Sequence, residues 1–306
     1  MLHHPEQPDA YGLSRETQGL LLGFLGVVIF SGTLPATRLA VVDLAPWFVT
    51  MGRAAVAGLM ALGVLVFLRR AWPQKAQWRD FAIVALCLII GFPGFIGLAM
   101  LTVPASHGGV VLGILPLATA ICAALFNGER PSLQYWICGI IGAVLVVFFA
   151  LRESGMQVVL GDLYLFCSVV VCAVGYAYSG RLSRQMPGWE VISWALVFSL
   201  PVTIPVTLWL MPADVSSVRT SAWLGFAYAA VMSMYLGFFA WNAGLALGGV
   251  ARVSQVQLLQ SFATLAVSAV FLGESIEPAT LFFALAVVGV VLLGRLAAIK
   301  PASGRS

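Results

Sequence analysis

The largest set of polar side chains in this apolar sequence lies in one helix-length segment, residues 251–268. Five of them recur at spacings of three and four residues, which places them on one helical face: Ser254, Gln257, Ser261, Thr264 and Ser268. Gln260 lies beside this stripe, and a glutamine amide can bind the carboxylate or ammonium of a zwitterion. The alternative is hydrogen bonding between helices, at about 0.6–2 kcal/mol per contact. We favour a substrate-binding face at Gln257, Gln260, Ser261 and Thr264.

Four further residues are candidates for contact with a substrate. Arg53 lies inside an apolar segment, where an arginine costs about 2.5–3.5 kcal/mol or more, so it faces a cavity or snorkels to headgroups. His107 contacts substrate, senses pH or is a buried structural histidine, and its counterpart 145 residues later is Arg252. Tyr235 and Ser31, inside other apolar segments, complete the substrate-binding candidates.

Aromatic residues and prolines supply candidates for gating. Tyr176 and Trp241 lie toward the end of the bundle expected to be cytoplasmic, where they would form an inner gate. Prolines inside apolar segments kink helices, either as hinges or as static curvature that shapes a cavity: Pro35, Pro93, Pro116 and Pro201. Glycine pairs with GxxxG spacing predict close helix packing: Gly19/Gly23, Gly109/Gly113 and Gly244/Gly248.

The other reactive residue types form no catalytic or metal-binding pattern. All five cysteines lie in apolar segments without metal-ligand spacing, so we expect neither a zinc site nor disulfides. Every acidic residue falls in a loop or at the end of an apolar segment. Because ion-driven carriers usually keep an ionisable site in mid-membrane, this pattern predicts a facilitative or weakly coupled carrier. An intramembrane enzyme would need a nucleophile with a base, paired carboxylates or a metal, and is only a remote alternative.

The composition is that of an integral membrane protein. Hydrophobic residues make up 61% of the chain and charged residues 9%, against roughly 45–50% and 25% in soluble domains. A span needs about 20 apolar residues, and ten segments qualify: 17–40, 46–68, 80–100, 105–126, 133–150, 161–180, 190–211, 220–243, 251–272 and 279–297. The basic residues lie in short loops and form no nucleic-acid-binding face, so the expected partners are the lipid bilayer and a small molecule.

Charge sets the expected orientation. With a cytoplasmic N-terminus, twelve Lys and Arg residues lie on the inner side and three on the outer side, which satisfies the positive-inside rule. Both termini would then be cytoplasmic. Residues 1–16 read as a polar cytoplasmic tail without the features of a cleaved signal, and residues 298–306 as a second tail. The expected location is an inner (plasma) membrane of the bacterial type.

The two halves of the chain resemble each other at an offset of 145 residues. FNGE at 126–129 matches FLGE at 271–274, and the 19 positions from 111 to 129 contain 7 identities with their counterparts. A repeat over 17–150 and 157–297 holds five spans in each half, and an odd number inverts the second copy relative to the first. Inverted repeats are the usual construction of alternating-access transporters, with the substrate site near the midplane. The predicted fold is an all-α membrane protein of ten helices, built as two inverted five-helix repeats around a central cavity.

The same motifs carry a resemblance to a known family. GTLPATR in the first span, MGRAAVAG in the second, and ILPLATAICAALFNGERPSLQYWICGIIGAVLVV across the fourth and fifth are similar to the EamA branch of the drug/metabolite transporter superfamily. Two departures in the second copy are Ser261 in place of Pro116 and Ser275 in place of Arg130. Length and aromatic content are similar to the YddG-like exporters of aromatic amino acids. The resemblance implies a basket-like bundle of ten helices around a central cavity.

These observations predict an exporter of amino acids, including aromatic ones, that works by alternating access without a cofactor. A drug or other-metabolite efflux carrier is the alternative within transport, although a cationic drug would prefer a carboxylate in the cavity. A structural or receptor-like protein needs neither the repeat nor the polar stripe. The sequence leaves the oligomeric state open, with a monomer among the possibilities.

Overall fold

The computed structural model describes residues 14–127, 130–131, 133–153, 159–248, 256–257, 259–296 and 299–300. The first half of the chain contains eight helices: α1 (Arg15–Ser31), α2 (Thr33–Ala40), α3 (Pro46–Phe67), α4 (Trp78–Val84), α5 (Phe92–Ala99), α6 (Ala105–Val111), α7 (Leu115–Asn127) and α8 (Leu133–Glu153). The described part of the second half contains six: α9 (Leu160–Leu182), α10 (Gly188–Trp209), α11 (Thr220–Ala227), α12 (Gly237–Gly248), α13 (Leu259–Leu272) and α14 (Pro278–Leu296).

Short irregular turns link several of these helices into longer rods. A π-helical segment, Ala85–Gly91, connects α4 to α5, and a second, Tyr228–Leu236, connects α11 to α12. The 3₁₀ turn Leu112–Ile114 connects α6 to α7. Further 3₁₀ turns lie at Lys75–Gln77 and Val215–Ser217, and Arg130–Pro131 pairs antiparallel with Ile299–Lys300 as two-residue strands.

The helices confirm an all-α membrane fold. Six of the predicted segments are helices long and apolar enough to cross a membrane: Thr17–Ala40, Pro46–Phe67, Lys75–Ala99, Leu160–Leu182, Gly188–Trp209 and Thr220–Leu245. Shorter apolar helices occupy the other four: Ala105–Thr119, Trp136–Arg152, Leu259–Leu272 and Pro278–Leu293. Of the predicted segment 251–272, residues 251–255 and 258 lie outside the described residues.

The outer surface of the bundle is apolar, as contact with lipid requires. Phe67 is 85% exposed, Val270 77% and Phe282 65%, on three different helices. A water-soluble protein rarely leaves so many large side chains exposed over one continuous region, whereas lipid tails solvate them.

The main contacts between helices join the two halves of the chain. The rod α1–α2 packs on α11 and α12, α5 on α9, α3 on α10, α6 on α13, and α8 on α14. The rod α6–α7 also packs on α9, just as α1 packs on α13. If the successive spans of the two halves are matched in chain order, each of these pairs has its counterpart in the same set. Corresponding helices of the two halves therefore face each other across the interior.

Two glycine contacts account for close approaches between halves. A Cβ atom added at Gly244 of α12 would lie 2.6 Å from the Gly23 nitrogen and 2.8 Å from the Gly19 carbonyl oxygen of α1. A Cβ added at Gly109 would lie 3.0 Å from Thr264 Cγ2, and one added at Gly113 would lie 3.1 Å from Ser261 Oγ. The predicted role of these glycines in helix packing is confirmed at both interfaces.

Candidate functional site

A central cavity of about 100 Å³ lies between the two halves. Eight described side chains with polar groups line it: Thr33, Arg53, Tyr176, Ser233, Gln257, Gln260, Ser261 and Thr264. Most of the remaining wall is apolar or aromatic, and includes Phe30, Phe92 and Phe238. The described lining contains one guanidinium and no carboxylate.

The polar stripe predicted from the sequence reaches this cavity in part. Gln260, Ser261 and Thr264 line it from the first two turns of α13, and Gln257 lines it from two residues before that helix begins. Ser268 continues the stripe beyond the cavity, fully buried with an Oγ that has no partner among the described residues. Ser254 and Arg252 lie outside the described residues.

Arg53 is the charged group of the cavity. It lies in the second turn of α3, a helix that begins at Pro46, and only 3% of its surface is exposed. Its Nη2 donates to Ser233 Oγ at 3.3 Å, and its Nε is buried without a partner in the described part of the chain. No described carboxylate lies within ion-pair distance of it. A buried cation without a counter-ion is costly, so the site favours an anion as ligand.

Ser233 accepts a hydrogen bond from Arg53 and is itself bonded to Thr33, and sequence reasoning did not single out either residue. Their hydroxyl oxygens are 2.7 Å apart across 200 residues of chain. Ser233 lies in the π-helical segment Tyr228–Leu236, and such segments are frequent at functional sites. Thr33 is the first residue after a helix break at Gly32, in the GTLPATR motif. A serine inside a long apolar segment and a threonine between Gly32 and Pro35 were the signals available in the sequence.

The break at Gly32 has a local cause. Pro35 has no N–H to donate to the carbonyl of Ser31, where α1 ends. A Cβ added at Gly32 would lie 2.5 Å from the Tyr228 hydroxyl oxygen, which donates to the carbonyl of Ile29 at 2.8 Å. The glycine thus leaves room for a tyrosine that bonds the end of α1.

The other predicted prolines differ in what surrounds them. Pro93 lines the cavity as the second residue of α5, directly after the π-helical segment Ala85–Gly91. Pro116 is the second residue of α7, after the 3₁₀ turn Leu112–Ile114. Pro201 lies inside α10, which runs without interruption. The backbone therefore changes its winding just before three of the four prolines, and these are the natural places for a helix to bend.

The remaining predicted residues divide between the cavity and other places. Tyr176 lines the cavity. Trp241 does not line it. Trp241 packs against α1, and a Cβ added at Gly26 of that helix would lie 3.1 Å from the Cβ of Trp241. Ser31 is fully buried and donates to the carbonyl of Val27 at 2.7 Å. Tyr235 is 1% exposed with its hydroxyl 3.2 Å from Ser193 Oγ. Neither Ser31 nor Tyr235 lines the cavity.

His107 lies away from the cavity, at what we call the distal end, formed by the loops 41–45, 100–104, 210–219 and 273–277. Its Nε2 lies 2.7 Å from Asp162 Oδ1, and both residues are 4% exposed. The imidazole stacks on Phe149 with ring centroids 4.9 Å apart and borders a separate pocket lined by Glu274, Glu277 and Thr280. Asp162 is at the end of a span, as predicted, but it is buried and paired rather than free in a loop.

Glu274, the last residue of the FLGE motif, joins three parts of the distal end. Its two carboxylate oxygens accept hydrogen bonds from the backbone N–H groups of Ala105 and Ser106, both at 2.9 Å. Arg38 Nε lies 3.7 Å from the same carboxylate, and Arg38 also donates to the carbonyls of Met100 and Val103.

Two further ion pairs among the described residues lie at the distal end. Asp43 accepts from Arg219 at 2.8 Å, and this guanidinium holds the pKa of Asp43 below its ordinary value. Arg152 lies 4.0 Å from Glu277. Like the pairs of His107 and Glu274, each links the first half of the chain to the second. The distal end is closed by polar contacts between the halves.

Comparison with known proteins identifies the class. The EamA-like transporter family matches residues 17–152 and again 159–295. The chain therefore belongs to the EamA-like transporter family and is a multi-pass membrane protein, as the motifs predicted. It is 44% identical over 283 residues to the uncharacterized transporter YdeK of Bacillus subtilis, covering 92% of this chain and 99% of that protein.

Two relatives carry a more specific name. A probable terminal-alkyne amino-acid exporter of Streptantibioticus cattleyicolor is 24% identical over 282 residues, which cover 89% of this chain and 91% of that protein. An S-adenosylmethionine/S-adenosylhomocysteine transporter of Chlamydia muridarum is 26% identical over 184 residues, 56% of each chain. A solved crystal structure shares the fold, with a TM-score of 0.60 at 19% identity, over 92% of this chain and 97% of that one.

Proposed function

We propose that this protein exports amino acids, including aromatic ones, across the bacterial inner membrane. Two five-helix repeats of opposite orientation would alternate access to the central cavity, with both termini in the cytoplasm and the distal end facing outward. Transport would follow the substrate gradient, or be only weakly coupled to ions.

The observation that carries this proposal is the position of Arg53. Its guanidinium lies in the wall of the cavity, is 3% exposed and has no carboxylate partner among the described residues. A guanidinium binds a carboxylate through paired, charge-assisted hydrogen bonds. The α-carboxylate of an amino acid supplies the missing counter-ion, while Ser233, itself bonded to Thr33, contacts the guanidinium.

The rest of the cavity suits the other parts of an amino acid. Gln257, Gln260, Ser261 and Thr264 offer oxygen acceptors for an ammonium group. Phe30 and Phe238, whose ring centroids are 5.0 Å apart, belong to the apolar wall together with Phe92. Aromatic walls of this kind favour an apolar or aromatic side chain.

The named relatives support the same substrate class. A terminal-alkyne amino acid carries an α-amino acid group, and so do S-adenosylmethionine and S-adenosylhomocysteine. The α-carboxylate is thus shared by the substrates in both names, whereas their side chains differ. A cationic drug would meet Arg53 without a carboxylate to balance its charge, which disfavours the efflux alternative. Catalysis is equally disfavoured, because the described cavity lining holds no carboxylate, histidine or cysteine.

The test is counterflow in liposomes containing the purified protein. Labelled phenylalanine, tryptophan and a cationic dye are each followed with the wild type, with Arg53→Gln and with Arg79→Gln, which removes an exposed arginine outside the cavity. We expect saturable flux of the amino acids that Arg53→Gln abolishes and Arg79→Gln retains. Flux of the dye alone would establish the efflux alternative instead. Flux that disappears when a pH gradient is removed at a constant substrate gradient would refute facilitated transport.

A further inference from the structure

The charges around the cavity extend the proposed function to a more specific substrate class. We propose that this cavity selects the carboxylate of its substrate and that the ammonium is dispensable. An anionic carboxylate with an aromatic or apolar body then binds more tightly than the zwitterionic amino acid. The inference rests on the proposed function for the location of the substrate site.

The balance of charge in the cavity is the first argument. The described lining holds the Arg53 guanidinium and no Asp or Glu, so it is one positive charge in excess. An anion neutralises that charge. A zwitterion neutralises it too, but brings an ammonium group that needs a partner of its own.

The distances at Arg53 give the second argument. Its only hydrogen bond to a described residue is a long one, 3.3 Å from Nη2 to Ser233 Oγ, and Nε is left unpaired. Ser233 Oγ already lies 2.7 Å from Thr33 Oγ1. A guanidinium that is 3% exposed and bonded to one neutral hydroxyl keeps most of its donors available for a carboxylate.

The acceptors available to an ammonium are the third argument. The amide and hydroxyl oxygens of Gln257, Gln260, Ser261 and Thr264 are neutral. Thr264 and Ser261 are also packed against Gly109 and Gly113, which limits their rearrangement. Hydrogen bonds to neutral oxygens compensate a desolvated ammonium only in part. The site therefore binds an ammonium weakly and a carboxylate strongly.

The described carboxylates lie elsewhere and are engaged. Glu274 accepts two backbone hydrogen bonds, Asp162 pairs with His107, and Glu190 lies 3.2 Å from Arg70. None of the three lines the cavity. An ammonium group in the cavity would find no carboxylate partner among them.

The experiment uses two analogues that each lack one charged group of phenylalanine. 3-Phenylpropanoate keeps the carboxylate, and phenethylamine keeps the ammonium. Each competes against labelled phenylalanine in counterflow with the wild-type protein. A buried polar group without a full partner costs about 1–3 kcal/mol, so 3-phenylpropanoate should inhibit at a concentration about 5- to 150-fold below that of unlabelled phenylalanine. Phenethylamine should not inhibit.

A double variant separates binding of the ammonium from a structural role of the amides. Gln257→Ala combined with Gln260→Ala removes two neutral acceptors and leaves Arg53 intact. The amide oxygens can accept from an ammonium but not from a carboxylate, for which Arg53 still supplies donors. We therefore expect the variant to weaken the binding of phenylalanine more than that of 3-phenylpropanoate, and so to widen the ratio of their inhibitory concentrations. An equal loss of affinity for both ligands in the double variant would overturn the inference. So would weaker inhibition of the wild type by 3-phenylpropanoate than by unlabelled phenylalanine.

A last arm distinguishes this inference from the proposed function. If labelled phenylalanine does not move at all, direct binding of labelled 3-phenylpropanoate is measured on the purified wild type and on Arg53→Gln. Saturable binding that Arg53→Gln loses would keep the carboxylate site while the amino acid exporter fails. Absence of binding would refute both. Flux of phenylalanine that 3-phenylpropanoate leaves unaffected would keep the exporter and refute the anion preference.

Discussion

Replacement of Glu274 by glutamine should open the distal end of the protein. The carboxylate accepts hydrogen bonds from the N–H groups of Ala105 and Ser106, one on each oxygen and both at 2.9 Å, and its side chain is 13% exposed. A glutamine has one oxygen for these two donors, and its NH₂ group faces the other. One backbone N–H then loses its partner, which costs about 1–3 kcal/mol.

Glu277 provides a matched control in the same loop. Its side chain is 62% exposed and its carboxylate lies 4.0 Å from Arg152. Exposed pairs of this kind contribute about 0–1 kcal/mol, so Glu277→Gln should have little effect. Both variants remove one negative charge from the distal end, and they differ mainly in the hydrogen bonds lost.

Accessibility of a buried reporter measures the opening. Thr280 is 6% exposed in the pocket beside Glu274. We would introduce Thr280→Cys into protein whose five native cysteines are replaced by alanine and follow its reaction with a maleimide in detergent. If reaction requires opening, Glu274→Gln should raise the rate about 5- to 150-fold. A rate equal to that of the wild type or of Glu277→Gln would refute the role of these hydrogen bonds.

Three further outcomes are expected. Gly244→Leu should separate α1 from α12 and lower the melting temperature in detergent, because even a Cβ at this position would lie 2.6 Å from a backbone nitrogen. Gly289→Ala is the control: a Cβ there has nothing within 4 Å, so the variant should be neutral or stabilised by up to about 1 kcal/mol. Equal melting temperatures for the two variants would contradict this packing. His107→Gln and Asp162→Asn should each destabilise the protein, because the two side chains are buried partners 2.7 Å apart. A double-mutant cycle should give a coupling energy of about 0.5–3 kcal/mol between them. Additive losses of stability would show that they do not interact. Asp43→Asn should lower the melting temperature by its full amount above the ordinary carboxyl pKa of about 3.9. The difference should shrink as pH falls through the depressed pKa of Asp43, because the arginine stabilises the folded state only while the carboxylate is charged. A difference that persists well below the depressed pKa would contradict the assignment.

Periodicity was sufficient to group the described residues of the stripe because they lie on α13 or two residues before its start. Gln257, Gln260, Ser261 and Thr264 line the cavity together, which follows from spacings of three and four residues in an apolar segment. Arg53 was also identifiable, since an arginine inside such a segment needs a reason to be there. For these residues, the sequence pattern alone was enough to indicate which side chains face the interior of the bundle.

Contacts between the halves could not be predicted in the same way. Thr33 and Ser233 meet across 200 residues, and His107 and Asp162 across 55, so neither partner signals the other in the sequence. Tyr235 and Ser31 show the converse. Both are polar and lie inside apolar segments, yet neither lines the cavity. Tyr235 bonds Ser193, and Ser31 donates to the carbonyl of Val27 and, at 3.5 Å, to that of Gln260. The direction in which a helix faces depends on its neighbours, and a single sequence only suggests it.

Binding of labelled phenylalanine to purified protein tests the central claim most directly, because it separates the substrate site from the movements that transport requires. The measurement compares the wild type, Arg53→Gln and the exposed control Arg79→Gln at equal concentrations of folded protein. We expect saturable binding by the wild type and by Arg79→Gln, and loss of binding in Arg53→Gln. Equal affinity in Arg53→Gln and the wild type would contradict the assignment of this cavity as the site of the carboxylate.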